Sequence, residues 1–155
     1  MSSREPGWFV DTNILLHVIR RSPLGEHILN ALQFRARATV SSISVVTQAE
    51  LFSLGRQHHW GKPKFDRLEE LLNELVIVDV TAGALPIIEK YAEFDQLSLA
   101  AGRTMGKNDL WIAASAAATG CRLLTTDRDF DHLSPQHLKV WWFDPDASEW
   151  ASAPI

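Results

Sequence analysis

The sequence predicts an α/β fold, a three-layer α/β/α arrangement around a central parallel sheet of four to five strands. Three observations predict it. Short apolar runs alternate with segments of helical periodicity along the whole chain, the pattern of parallel strands joined by helical crossovers. No 20 to 50 residue repeat, low-complexity tract or Pro/Gly/Ser linker divides the sequence, which excludes solenoids and multidomain arrays. The length of 155 residues, with 46 % apolar and 22 % charged residues, suits a single domain over residues 1–155 built on one substantial core.

Taken in order, Trp8, Phe9 and Val10 form a short strand, and Ile14, Leu15, Val18 and Ile19 follow at helical spacing. Pro23 opens a second helix carrying Leu24, Ile28, Ala31 and Leu32, before a β-rich run from Thr39 to Ile43. A third helix reads from Ser44 through Val45, Ala49, Leu51 and Phe52 to Gly55, and His58 to Pro63 is a turn. Phe65, Leu68, Leu72 and Leu75 mark an amphipathic helix, with Val76 to Val80 a third strand behind it. Gly83 to about Met105 reads as helix in two pieces, and Leu110 to Thr119 as the clearest helix, stopped by Gly120. Arg122 to Thr125 is a fourth strand and Val140 to Phe143 a fifth at the sheet edge. Right-handed crossovers bring the carboxyl ends of such strands and the amino ends of their helices to one edge, where sites collect.

Composition narrows the function. A single cysteine, Cys121, allows neither an internal disulfide nor a cysteine-built zinc site. No apolar run approaches the 18 or so residues that cross a bilayer, and the Met-Ser-Ser-Arg-Glu-Pro start lacks the pattern of a secretory signal, so a soluble cytoplasmic protein is expected. The net charge of -4 does not attract nucleic acid by itself, so a polyanionic partner has to be met locally.

Four acids supply a way to do so. Asp11 and Asp127 follow the first and fourth strands, and Asp109 opens the alanine-rich helix, which places all three on the carboxyl edge. Glu50 lies early in the third helix, within reach if it leans over that edge. Singly, Asp11 and Asp127 also read as turn residues, Asp109 as an N-cap, and Glu50 as half of a capping box with Thr47. Together, carboxylates about 5 Å apart repel by roughly 3 kcal/mol per pair at an effective dielectric near 20, and call for protons or a cation. A hard, oxygen-preferring ion such as Mg²⁺ or Mn²⁺ suits Asp11, Asp109 and Asp127 as ligands, with Thr12, Asn13, Asn108 and Thr125 orienting carboxylates or waters. Without these four acids, 15 acids remain against 15 bases. Such a centre activates water and stabilises an oxygen leaving group, the requirements of phosphodiester hydrolysis. Arg103, Lys107 and Arg128 flank the acids and are candidates to hold phosphates, with scattered solvated bases as the alternative.

Four ordered blocks carry a resemblance: Asp11-Thr12-Asn13, Ser44 through Leu51, Gly106-Lys107-Asn108-Asp109-Leu110 through Ala114, and Leu123 through Phe130. Together they resemble the PIN-domain family, most closely the VapC-type toxins of type II toxin-antitoxin modules, from Val10 to about Val140. The resemblance implies a PIN-like fold and a Mg²⁺- or Mn²⁺-dependent endoribonuclease that cuts single-stranded regions of transfer, ribosomal or messenger RNA. It also implies a homodimer and a cognate VapB-type antitoxin whose tail enters the acidic groove. Asp11, Glu50, Asp109 and Asp127 match the family's acidic residues. Asp129 matches a supplementary acid found in some members and is not taken as a ligand; Thr125 matches a polar position beside the site.

The segment Gln57 to Pro63, with His58 and His59, and the Trp-rich tail from Trp141 to Trp150 match no block. Adjacent histidines in a turn read as solvated rather than metal-binding. Trp141 or Trp142 reads as core, the remaining tryptophans as cover for a dimer or antitoxin surface, with base stacking as the alternative. Competing functions are a free-standing PIN nuclease that processes RNA without an antitoxin, and a Mg²⁺-dependent phosphotransfer or binding module. Against the dehalogenase type of phosphotransfer, Asp11 is followed by Thr12 and Asn13, with no second aspartate two residues on.

Overall fold

The structure, a computed structural model, describes residues 6–32 and 40–151. Its centre is a five-stranded, wholly parallel sheet of β1 (Trp8–Val10), β2 (Ser41–Ser44), β3 (Val76–Val78), β4 (Arg122–Thr125) and β5 (Val140–Trp142), in the order β3-β2-β1-β4-β5. The central strand is apolar at every position because both faces are covered. Trp8 and Val10 join one apolar layer and Phe9 the other; on β4, Leu124 and Leu123 divide in the same way.

The first layer is built by α1 (Thr12–Arg20), α2 (Pro23–Leu32), α3 (Val45–Gln57) and α4 (Lys62–Leu72). The two leading helices approach so closely that a Cβ on Gly25 would stand 2.1 Å from the carbonyl oxygen of His17, which only glycine avoids. On the opposite face lie α5 (Ile87–Ala100) and α6 (Lys107–Ala118), with Phe94, Leu110, Ile112, Ala113 and Ala116 packed on Phe9 and Leu123. Alanine on the inner face of α6 lets its backbone sit close to the sheet. These are the three layers expected, and among the described residues no helix is long and apolar enough to cross a membrane.

Several boundaries differ from the sequence reading. Thr39 lies outside the described residues, and β2 runs on to Ser44, whose Oγ accepts from the Val46 amide at 3.1 Å and starts α3. The third strand ends at Val78, two residues early; it is an edge strand with Val76 and Ile77 exposed. The segment from Gly83 to Met105 holds one helix, which starts after Pro86 and stops at Ala101 before Gly102 at φ 71°. Most informative is α6, which starts three residues before Leu110 because Gly106 takes the extended N-cap conformation. Asp109 is therefore inside the first turn and is no N-cap.

The chain steps from β1 to β2 to β3 on one side and then crosses to β4 and β5 on the other. The switch point lies between β1 and β4, and in open parallel sheets the crevice for ligands opens there, past the carboxyl ends. Asp11 and Asp127 stand at those two ends.

Candidate active site

Asp11 is the residue between β1 and α1. Its amide continues the sheet by donating to Leu124 O at 3.0 Å, and its side chain is 3 % exposed. One carboxylate oxygen accepts from the Thr12 amide at 2.8 Å and the other from Thr125 Oγ1 at 2.7 Å. Burial pushes its pKa from 3.8 up to about 6; the two hydrogen bonds pull it down, while the charges of Asp127 and Glu50 add to the rise.

Thr125, fully buried at the end of β4, serves two acids at once. While donating to Asp11 it accepts from the Asp127 amide at 2.9 Å. Asp127 Oδ1 in turn accepts from the Asp129 amide at 2.9 Å, a turn that folds the chain back and brings Asp129 to the same side. The segment is pinned further on by His132: Ser98 Oγ gives its proton to Phe94 O and so accepts from His132 Nε2, each contact 2.7 Å long.

Glu50 does lean over the edge. Its Oε1 lies 2.9 Å from Thr12 Oγ1, which is also 3.0 Å from Thr47 Oγ1. A carboxylate only accepts, so Thr12 donates to Glu50 and takes the proton of Thr47. Thr47 is thus an orienting group rather than a helix cap, since Ser44 occupies the cap. Asp109, half-buried in the first turn of α6, is pushed up to about 7, by burial first and then by the charges of Asp11, Asp127, Glu50 and Asp129.

Asp109, Asp127 and Asp129 each bring a carboxylate oxygen within 4.8 Å of the others, the one such group among the described residues. Asp11 and Glu50 border it, close enough to raise the pKa of Asp109. Asp129, set aside in the sequence reading, is therefore inside the tightest group, and its own pKa is raised by burial and by Asp127, with Arg103 opposing. An all-oxygen set of repelling acids fits a hard divalent cation. The other expected residues divide. Arg103 faces Asp129 electrostatically, while Lys107 and Asn108 are exposed at the first two positions of α6. Asn13 is exposed, with no side-chain hydrogen bond among the described residues. Arg128 lies 3.5 Å from the ring of Trp142 and pairs with Asp131 at 3.3 Å, so its guanidinium is already engaged.

Sequence and fold comparisons identify the family of this fold. The PIN-domain profile matches residues 8–134, which include all five acids. The chain belongs to the PIN-domain family. This PIN domain is 28 % identical over 138 residues to a Haemophilus influenzae protein named ribonuclease VapC2, covering 86 % of this chain and 97 % of that protein. It is similar to a chain of VapBC2 from Rickettsia felis, solved bound to a DNA fragment from their promoter, at 26 % identity and a TM-score of 0.76 over 88 % of this chain and 98 % of that one. The fold of a chain of DNA-bound VapBC from Salmonella typhimurium also matches, with a TM-score of 0.74 at 19 % identity over 88 % of this PIN domain and 98 % of that chain.

The histidines and tryptophans outside the family blocks have local roles. His58 closes α3 and His59 takes a left-handed conformation at φ 52°, both exposed in a turn. Trp141 packs on the first apolar layer, Trp142 donates to Thr126 O and lies against Arg128, and Trp150 donates to Asp144 O at 2.7 Å.

Proposed function

We propose that this PIN domain, spanning the chain as one unit, is a divalent-metal-dependent endoribonuclease of the VapC type. It cuts single-stranded regions of transfer, ribosomal or messenger RNA in the cytoplasm. On this reading it is a homodimeric toxin held inactive by a VapB-type antitoxin, as the similarity to ribonuclease VapC2 and to VapBC chains suggests. The observation that carries the chemistry is the convergence of Asp109, Asp127 and Asp129 within 4.8 Å, bordered by Asp11 and Glu50.

Asp11, Asp109 and Asp127 would hold Mg²⁺ or Mn²⁺, with Asp129 as a further donor. Bound there, the cation supplies the positive charge that lowers the pKa of water and offsets charge on the phosphate oxygens during hydrolysis. The chain's own part is positioning. Thr125 fixes Asp11 and the turn of Asp127 together, so the two strand ends move as one. Thr12 and Thr47 hold Glu50 at the rim, where it accepts a proton or orients a water. Arg103, beside Asp129, and Lys107, at the start of α6, meet the flanking phosphates.

Purified protein incubated with total cellular RNA in Mg²⁺, Mn²⁺ or EDTA, next to Asp109→Asn prepared identically, tests this. Discrete fragments that need the metal and disappear in the variant are expected. A folded, antitoxin-free sample that leaves every RNA class intact in both metals would overturn the nuclease reading.

A further inference from the structure

Next to the carboxylates an open cleft of about 490 Å³ runs along α3, with Asn108 of α6 on its far side. Its lining residues on α3 fall at three- and four-residue spacing from Val46 to Gln57, so they form one face of the helix. Glu50 belongs to both places: it lines the cleft and is hydrogen-bonded to Thr12, so the cleft begins where the acidic group ends. Its volume lies within the roughly 300 to 1,000 Å³ typical of small-ligand sites.

The lining has a definite chemistry. Ala49 and Ser53 are small and exposed and leave room in the cleft, while half-buried Val46 and Leu54 supply apolar contact. At one end the amide of Gln57 is oriented by donating to Ser53 Oγ at 3.0 Å, which leaves its oxygen and second N–H for another partner. Asn108 offers a second amide opposite. Among the described residues neither Lys nor Arg lines the cleft, and Glu50 repels anions, which disfavours a phosphate there. A cleft that combines apolar contact with two side-chain amides suits a planar ring that carries donors and acceptors. Bases of single-stranded RNA splay out and expose their Watson–Crick and Hoogsteen edges to hydrogen-bonding groups of this kind.

We propose that this cleft is a nucleobase subsite, which takes the base of a nucleotide within two positions of the scissile phosphate. The inference rests on the ribonuclease reading and adds to it the element that sets register on the RNA. Because α3 carries both Glu50 and the slot, a base seated there fixes the distance from base to carboxylates.

Steady-state cleavage of a short single-stranded RNA, made abasic at one position at a time, tests it against Ala49→Trp, which fills the slot, and Gln57→Ala, a milder change at an exposed position. In the wild type, one abasic position near the cut is expected to raise KM about tenfold, the size of one lost hydrogen-bonded contact to the base. Ala49→Trp raises KM for the intact RNA by a similar factor and makes the abasic change silent; Gln57→Ala gives a smaller effect in the same direction. Equal sensitivity at every position overturns the subsite, as do abasic and Ala49→Trp penalties that multiply. In both of those outcomes the wild type still cuts RNA and the ribonuclease reading stands; a wild type that cuts none removes both.

Discussion

Trp8, Phe9 and Val10 are 0 to 1 % exposed and Asp11, the next residue, is 3 % exposed, yet their burial works in opposite directions. Removing the three apolar side chains from water stabilises the fold by about 1.5 to 3 kcal/mol each. Burying Asp11 disfavours its charge and drives its pKa up to about 6. The same contrast holds on α6, where the alanines pack against the sheet and Asp109, one turn before them, is pushed up to about 7. The apolar layers are a rigid base that holds carboxylates together against their repulsion, so the cost of the site is borne by the sheet beneath it.

The contrast breaks most sharply at the acids themselves. Asp109→Asn and Asp11→Asn should each lower RNA cleavage on the order of 10³-fold, the scale of losing an electrostatic contact to a transition state. Asp109→Asn should also raise the melting temperature of the metal-free protein, because a neutral amide relieves the repulsion. An Asp109→Asn protein that loses activity and stability together would contradict this picture. Phe9→Ala tests the other half: a buried aromatic lost from the central strand costs about 3 to 5 kcal/mol and lowers the melting temperature by roughly 10 °C.

Thr125→Val sits where the two halves meet. It removes a donor from Asp11 and an acceptor from the Asp127 amide, and metal affinity measured by Mn²⁺ titration calorimetry should fall about 10- to 100-fold. The pH response follows from the raised acids. Unfolded aspartates titrate near 3.8, whereas Asp11 and Asp109 hold their protons to about 6 and 7. The folded state thus binds more protons between those limits, and stability falls as pH rises through the window. In chelator the melting temperature should be roughly 5 °C lower at pH 8 than at pH 5. Added Mn²⁺ should restore more of it at pH 8, and a flat profile would count against the coupling. The smallest effect is expected from Arg128→Ala, within about threefold in RNA affinity, because the guanidinium is occupied by Trp142 and Asp131 and the ion pair is exposed.

Much of this was legible in the sequence. Strand-helix alternation sufficed for the parallel sheet, and the position of Asp11, Asp109 and Asp127 at element ends followed from handed crossovers alone. The tight turn through Asp127 was not legible in that way. Asp129 reads as an exposed loop acid until the hydrogen bond from its amide to Asp127 folds it toward Asp109. Thr47 was hidden by the opposite error, since a threonine three residues before a glutamate imitates a capping box. Only the spatial meeting of α1 and α3 shows that it steadies Thr12. Arg128 kept its sequence proximity to the acids but is engaged by a tryptophan 14 residues further on, a contact that periodicity cannot anticipate.

The hydrogen bond between Asp11 and Thr125 spans 114 positions of the chain. During vectorial synthesis the first half of the acidic group leaves the ribosome long before the second half exists. A nascent chain that ends before Arg122 lacks β4 and the turn behind it, and therefore lacks the assembled centre however well its leading helices have folded. The centre is therefore completed only late in translation, a consequence of strand order alone.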